Sequence, residues 1–126
     1  MRYLLDTTVL IDHTRGRPGV AELVGRLFSE PNDLLVCDAV VVEALSRGSD
    51  EEVRTIGGLI DALEYVATHP EAARWAGASR RRLRHTSPRR LGDSIIAGVA
   101  WFQDAVVVTR NPGDFDLQGV RVLAYE

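Results

Sequence analysis

The chain contains no lysine: all 15 of its basic side chains are arginine. The codon usage of a GC-rich genome accounts for most of that choice, yet the absence excludes every mechanism that needs a lysine. The phosphate-binding loop G-x-x-x-x-G-K-[ST] is ruled out. So are phosphate-receiver domains, which share this size and an acidic rim, and aspartyl phosphatases of the D-x-D-x-T type, since the stretch here is Asp6-Thr7-Thr8. The three histidines, His13, His69 and His85, lack H-E-x-x-H or paired-ligand spacing, which argues against zinc. No G-x-S-x-G elbow is present. The single cysteine, Cys37, cannot form an internal disulfide and lies in an apolar stretch, so it reads as an inert core thiol in a reducing compartment. No apolar run approaches the roughly 20 residues that span a bilayer. The first apolar run is short and interrupted by Asp6, unlike a secretory signal. A cytoplasmic protein without a membrane partner is expected.

What is present is a strict alternation. A length of 126 residues fits one domain, residues 1–126, large enough to bury a core without disulfides or structural metal. Tyr3 to Leu5, "LLVC" at 34–37, "AVVVT" at 105–109 and "VRVLAY" read as strands, with a further short strand near Tyr65 to Ala67. Between them, "TTVLIDH" is expected to start a short helix with a threonine as N-cap. "VAELVGRLF" has helical spacing, and "PEAARWAGASRRRLRH" is a helix with Pro70 near its start. "AVVVEALSR" reads as a helix capped by Asp38, although its three valines also suit a strand. "DEEVRTIGGLIDALEYV" is helical despite its glycine pair. "GDSIIAGVAWFQ" is a buried helix starting near Asp93, whose small residues Ala97, Gly98 and Ala100 suit close packing on the sheet. "RNPGDFD" reads as a loop. This order predicts a three-layer α/β/α fold with a mostly parallel central sheet, in which ligands bind beyond the carboxyl ends of the strands.

Acids gather at those ends. Asp6 follows the first strand, Glu43 lies in the helix after the second, Asp93 opens a buried helix, and Asn111, Asp114 and Asp116 follow "AVVVT". Each has a plain structural reading. Asp6 and Asp93 suit helix N-termini, Glu43 suits an exposed helix position, and Asp114 suits a turn. Taken together, Asp6, Glu43, Asp93 and Asp114 outweigh those separate readings. Carboxylates brought together raise one another's pKa unless a hard cation such as Mg2+ or Mn2+ binds them through oxygen. That combination is suited to phosphodiester hydrolysis.

In order and spacing, "YLLDTTVLID", "CDAVVVEALSRG", "LGDSIIAGVAW" and "VVVTRNPGDF" resemble the four motifs of PIN-domain ribonucleases, especially the VapC toxins of bacterial toxin–antitoxin pairs. The match runs over essentially the whole chain. The resemblance implies a PIN fold, a Mg2+- or Mn2+-dependent endoribonuclease acting on structured RNA such as tRNA or rRNA, a cognate VapB-like antitoxin and a homodimer. By position it makes Asp6, Glu43 and Asp93 metal-binding acids, with Asp114 the matching fourth. Asn111 occupies a place some members fill with Asp, and Asp116 is an outside candidate. Thr7 or Thr8 matches the small hydroxyl after the first acid. A non-catalytic RNA- or protein-binding module of the same fold, and a metal-dependent nuclease acting on DNA, stand as alternatives.

Net charge is −3, so no global attraction to nucleic acid is expected. The distribution is nevertheless uneven, for residues 74–90, "RWAGASRRRLRHTSPRR", hold seven arginines and no acid. Arg80, Arg81, Arg82, Arg84, Arg89 and Arg90 lead directly into Asp93. Together with Arg110 they are candidates for contacts with RNA phosphates; a solvated helix face is the competing reading. Trp75 and Trp101 are expected in the core, with base stacking as their other possible role.

Overall fold

A computed structural model describes residues 1–126. In chain order the elements are β1 (Arg2–Leu5), α1 (Thr7–Thr14), α2 (Val20–Ser29), β2 (Asp33–Cys37), α3 (Asp38–Leu45), α4 (Asp50–Asp61), β3 (Glu64–Val66), α5 (Pro70–Leu83), α6 (Leu91–Gln103), β4 (Val106–Thr109), α7 (Gly113–Asp116) and β5 (Val122–Ala124). The strands form one five-stranded sheet in the order β3-β2-β1-β4-β5, with helices packed around it. Every pairing is parallel, with registers such as Leu4 opposite Leu35 and Val107. The α/β expectation is met, and the sheet is wholly rather than mostly parallel.

The central strands are apolar without alternation because both of their faces are covered. Leu4, Leu5, Leu35, Val36, Val107 and Val108 have no exposed surface, and they belong to one contiguous core. The valine-rich 38–45 stretch is the helix α3, where Val40 is buried while Val42 stands 69% exposed. A capping box of Ser49 and Glu52 starts α4, which therefore forms despite Gly57 and Gly58. It ends at Asp61, and β3 is a separate strand. Pro70 is the first residue of α5, with the His69 ring accepting the Glu71 amide.

Several local expectations are corrected. The N-cap of α1 is Asp6, not a threonine, because the Asp6 carboxylate reaches the Thr7 amide. The N-cap of α6 is Arg90, and of the two plain readings of Asp93, cap or first-turn acid, the structure shows the second. Asp38 is the first residue of α3, behind Cys37, and its carboxylate accepts from the Thr68 hydroxyl at 2.7 Å and the Thr68 amide at 3.0 Å. "RNPGDFD" contains a turn of helix, α7. Gly98 meets α5 rather than the sheet: a Cβ there would lie 2.5 Å from the Ala72 carbonyl oxygen. Trp101 is 47% exposed and so lies at the surface instead of in the core, stacked at a centroid distance of 5.7 Å on Trp75, which is half-buried against the core as expected. No helix is long and apolar enough to cross a membrane.

Strand order places the site. From β1 the chain builds outward to β2 and β3, then crosses back to β4 and β5 on the other side. The order therefore reverses between β1 and β4, and a crevice opens beyond their carboxyl ends.

Candidate active site

At that crevice β1 ends on Asp6, whose amide donates to the Val108 carbonyl at 3.0 Å. The residue is 4% exposed, and its carboxylate accepts three hydrogen bonds from three residues. The Thr7 amide donates to Oδ1 at 2.8 Å, while the Thr8 and Thr109 hydroxyls donate to Oδ2 at 3.2 and 2.8 Å. Thr109, the last residue of β4, is itself held by the Asn111 amide at 3.0 Å. Burial raises the Asp6 pKa, against the lowering effect of the Thr109, Thr7 and Thr8 hydrogen bonds, with Glu43 adding repulsion.

Glu43 projects from α3, and the Thr7 hydroxyl donates to its Oε2 at 3.1 Å. Its other oxygen lies against Gly92, where a Cβ would come within 1.8 Å of Oε1. Glycine at 92 therefore makes room for the carboxylate beside Asp93. Asp93, in the first turn of α6, is pushed up to about 6 by burial first and then by the charges of Asp114, Asp6 and Glu43; Arg90 opposes the rise. Asp93 thus stands within electrostatic reach of the other three acids. Asp114 comes from α7, whose placement is fixed on two sides. The buried Gln118 amide donates to the Asp114 carbonyl at 2.7 Å and accepts from Ser79 of α5 at 3.2 Å. Arg89 donates to the Gly113 carbonyl at 2.8 Å.

None of the four carboxylates is ion-paired with an arginine. They converge without closing into a ready-made cage of three ligands. Mg2+ and Mn2+ keep several waters and take only one or two carboxylates directly, so a cage is not required. The donors are oxygen only, with no histidine or thiol among them, which fits a hard divalent cation and not zinc. Beside the acids a cleft of about 390 Å³ is lined by residues including Asp38, Val42, Glu43, Thr68, Leu91 and Ile95.

The supporting candidates divide. Thr7 and Thr8 both touch site carboxylates. Asn111 contributes its backbone, while its side chain is exposed. Asp116 is exposed. Arg110, expected at RNA, instead lies 3.0 Å from the buried carboxylate of Asp12, which also accepts the Tyr125 hydroxyl at 2.8 Å. The other arginines of the tract, Arg80, Arg81, Arg82, Arg84 and Arg90, are exposed. Sequence reasoning passed over Thr109, Gly92, Asp12 and Tyr125. Of these, only Thr109 carried a visible signal, a hydroxyl ending an otherwise apolar buried strand.

The sequence model of the PIN domain matches residues 3–117. The chain belongs to the PIN domain family. It is 29% identical over 116 residues to Ribonuclease VapC19 of Mycobacterium tuberculosis, covering 90% of this chain and 92% of that one. Its fold is similar to that of a chain in the crystal structure of VapBC2 from Rickettsia felis bound to a DNA fragment from its promoter. That match has a TM-score of 0.87 at 17% identity and covers all of both chains. It is also similar to VapBC-5 of Mycobacterium tuberculosis, a member of the VapBC family of toxin–antitoxin systems, with a TM-score of 0.68 at 18% identity over 98% of each chain. In this PIN domain, the crevice between β1 and β4 is where the acids of the four family-like segments meet.

Proposed function

We propose that this PIN domain is a Mg2+- or Mn2+-dependent endoribonuclease that hydrolyses phosphodiester bonds of structured RNA such as tRNA or rRNA. A cognate VapB-like antitoxin holds it inactive in the cytoplasm. The observation that carries this reading is the meeting of Asp6, Glu43, Asp93 and Asp114 from four separate segments with no arginine paired to any of them. Similarity to Ribonuclease VapC19 supports ribonuclease chemistry, and the likeness to VapBC assemblies supports the antitoxin. Exposed Val42 and Leu91 beside the site suit the expected homodimer.

Asp6, Glu43, Asp93 and Asp114 would hold the cation. When bound, Mg2+ or Mn2+ supplies Lewis-acid polarisation of a phosphoryl oxygen and lowers the pKa of a coordinated water. The protein's own part is positional. Thr7, Thr8 and Thr109 fix both Asp6 oxygens before substrate arrives, so no reorganisation is needed during reaction. Thr7 also aims Glu43. Glu43 and Asp114 are only half-buried, which supports a part for one or the other in orienting the attacking water and accepting its proton. Water oxygen bonds to phosphorus as the bond to the leaving ribose oxygen breaks, and that oxygen takes up a proton.

The test is incubation of antitoxin-free protein with total bacterial RNA in Mg2+, Mn2+ or chelator, beside Asp6→Asn and Asp93→Asn. Discrete fragments that require metal and vanish in both variants are expected. Folded, metal-supplied protein that binds RNA but cuts nothing across a broad panel would favour a non-catalytic module. Cleavage of DNA in preference to RNA would move the substrate class.

A further inference from the structure

Where α5 runs into α6, Arg80, Arg81, Arg84 and Arg89 line a recess of about 230 Å³ closed on one side by Pro88. Five arginines elsewhere in the molecule are matched to acids, Arg2 to Asp33, Arg15 to Glu52, Arg17 and Arg110 to Asp12, and Arg121 to Asp104, while others such as Arg26 and Arg54 are unpaired but line no shared recess. The four recess arginines have no acidic partner. The negative end of the α5 dipole favours basic residues in its last turn, which accounts for Arg80 and Arg81. Arg84, the C-cap, stands at the same end, but the dipole does not account for Arg89, which lies beyond the helix and lines the same recess. Four guanidinium groups facing one cavity repel one another unless an anion sits among them. One wall is set in advance: Arg89 donates from Nε to the Ser87 carbonyl at 3.0 Å, contacts the Ser87 hydroxyl, and reaches the Gly113 carbonyl at 2.8 Å.

The position of the recess identifies the anion. Gly113 directly precedes Asp114, so Arg89 ties the recess wall to the segment carrying the fourth acid. Arg90, the next residue, offsets charge at Asp93. The α5–α6 connection thus lies between the basic recess and the acidic crevice. An RNA whose scissile phosphate is at the acids carries further phosphates along the same strand, and a guanidinium fork matches a phosphate in two hydrogen bonds. The recess also answers a physical difficulty, since a protein of net charge −3 with an acidic centre otherwise repels a polyanion.

We propose that the recess of Arg80, Arg81, Arg84 and Arg89 is a phosphate-binding exosite that grips the RNA backbone next to the cleavage centre. It sets substrate affinity rather than the chemical step. This rests on the ribonuclease reading for the identity of the substrate.

The test compares the full chain with the Arg80→Gln/Arg81→Gln/Arg84→Gln variant. The charge control is Arg26→Gln/Arg54→Gln, two exposed arginines outside the tract. Anisotropy of a labelled structured RNA, measured in chelator across a salt series, reads binding without cleavage. The recess variant is expected to bind about tenfold or more weakly near 100 mM salt and to flatten the log Kd against log salt slope by about two. In metal, its KM should rise with kcat held within about twofold. The control should change affinity by less than about threefold, with far melting curves of all three proteins superimposing. Wild-type affinity and slope in the recess variant overturn the proposal, as does an equal loss in the control. Displacement of an Asp/Glu-rich peptide, with RNA binding intact in the variant, also overturns it and points to an acidic protein segment. Recess-dependent RNA binding without cleavage by the wild type upholds the exosite and removes the ribonuclease reading instead.

Discussion

Asp6 and Asp12 stand at the two ends of α1, and both are almost fully buried, at 4% and 6% exposure. Their surroundings treat the charge in opposite ways. Asp12 meets cations of the protein: Arg110 at 3.0 Å and Arg17 at 3.9 Å, with the Tyr125 hydroxyl at 2.8 Å. Burial and the neighbouring Asp12 charge in turn raise the Tyr125 pKa, so the phenol stays a donor. Asp6 meets only hydroxyls and an amide, and the charges near it are those of further acids. The Asp12 cluster sets two arginines against one carboxylate, so the fold itself compensates that charge, and it joins the first helix to the chain after β4 and β5. The Asp6 cluster is left with an excess of negative charge that the fold does not compensate. A carboxylate supplied with its own cation fastens the structure, whereas a group of carboxylates without one is arranged for something that arrives from outside.

Substitutions can break this contrast. The largest effect is expected at the acidic cluster: Asp6→Asn or Asp93→Asn should reduce RNA cleavage to background while leaving the protein folded. The pH dependence of the metal-free protein sharpens the point. Asp93 titrates near 3.8 in a model environment and near 6 in the fold, so between those values the folded state binds more protons than the unfolded state. Stability therefore falls as pH rises through that window. Below it the group is neutral in both states, and above it the full penalty applies. Melting temperature of the chelated protein should decline from about pH 4 to pH 6.5, and Asp93→Asn should flatten the decline. Asp12→Asn removes the counter-charge of partly exposed Arg17 and Arg110, and should cost about 1–3 kcal/mol in urea unfolding.

Smaller effects test the positioning of the site. Gly92→Ala places a methyl where Glu43 Oε1 lies. Because that oxygen ends a flexible side chain, the carboxylate should swing aside at little cost in stability. Cation affinity, read by Mn2+ titration, should fall about 10-fold or more, the scale seen when supporting residues of a metal site are changed. Thr109→Val removes the hydroxyl that donates to Asp6 at 2.8 Å. It should cost about 1 kcal/mol of stability and weaken cation binding less than Gly92→Ala does.

Much of this was legible in the sequence, and what was not has a common cause. Continuous apolar runs such as "LLVC" and "AVVVT" are local signals, and so are acids that follow them, because a parallel sheet delivers every strand's carboxyl end to one rim. Contacts between residues far apart in the chain leave no local pattern. Asp12 and Tyr125 are separated by 113 positions, and Asp12 in "LID" looks like the polar side of a helix. Arg110 looked free for RNA because its partner lies on α1. Gly92 looked like a helix-start glycine, since the oxygen it accommodates belongs to Glu43 of α3. Trp101 was expected inside, but it lies on the exposed side of the last turn of α6, with its ring against Trp75. Asp6 shows the reverse: its plain structural reading holds without excluding the chemical one, since the same carboxylate caps α1 and lies among other acids.

The most direct measurement is Mn2+ binding by calorimetric titration of the wild type, Asp93→Asn and Asp12→Asn. At least one Mn2+ per wild-type chain is predicted, lost in Asp93→Asn and retained in folded Asp12→Asn. No binding by the wild type, or equal binding by wild type and Asp93→Asn, would contradict the claim that the four uncompensated acids form a cation site.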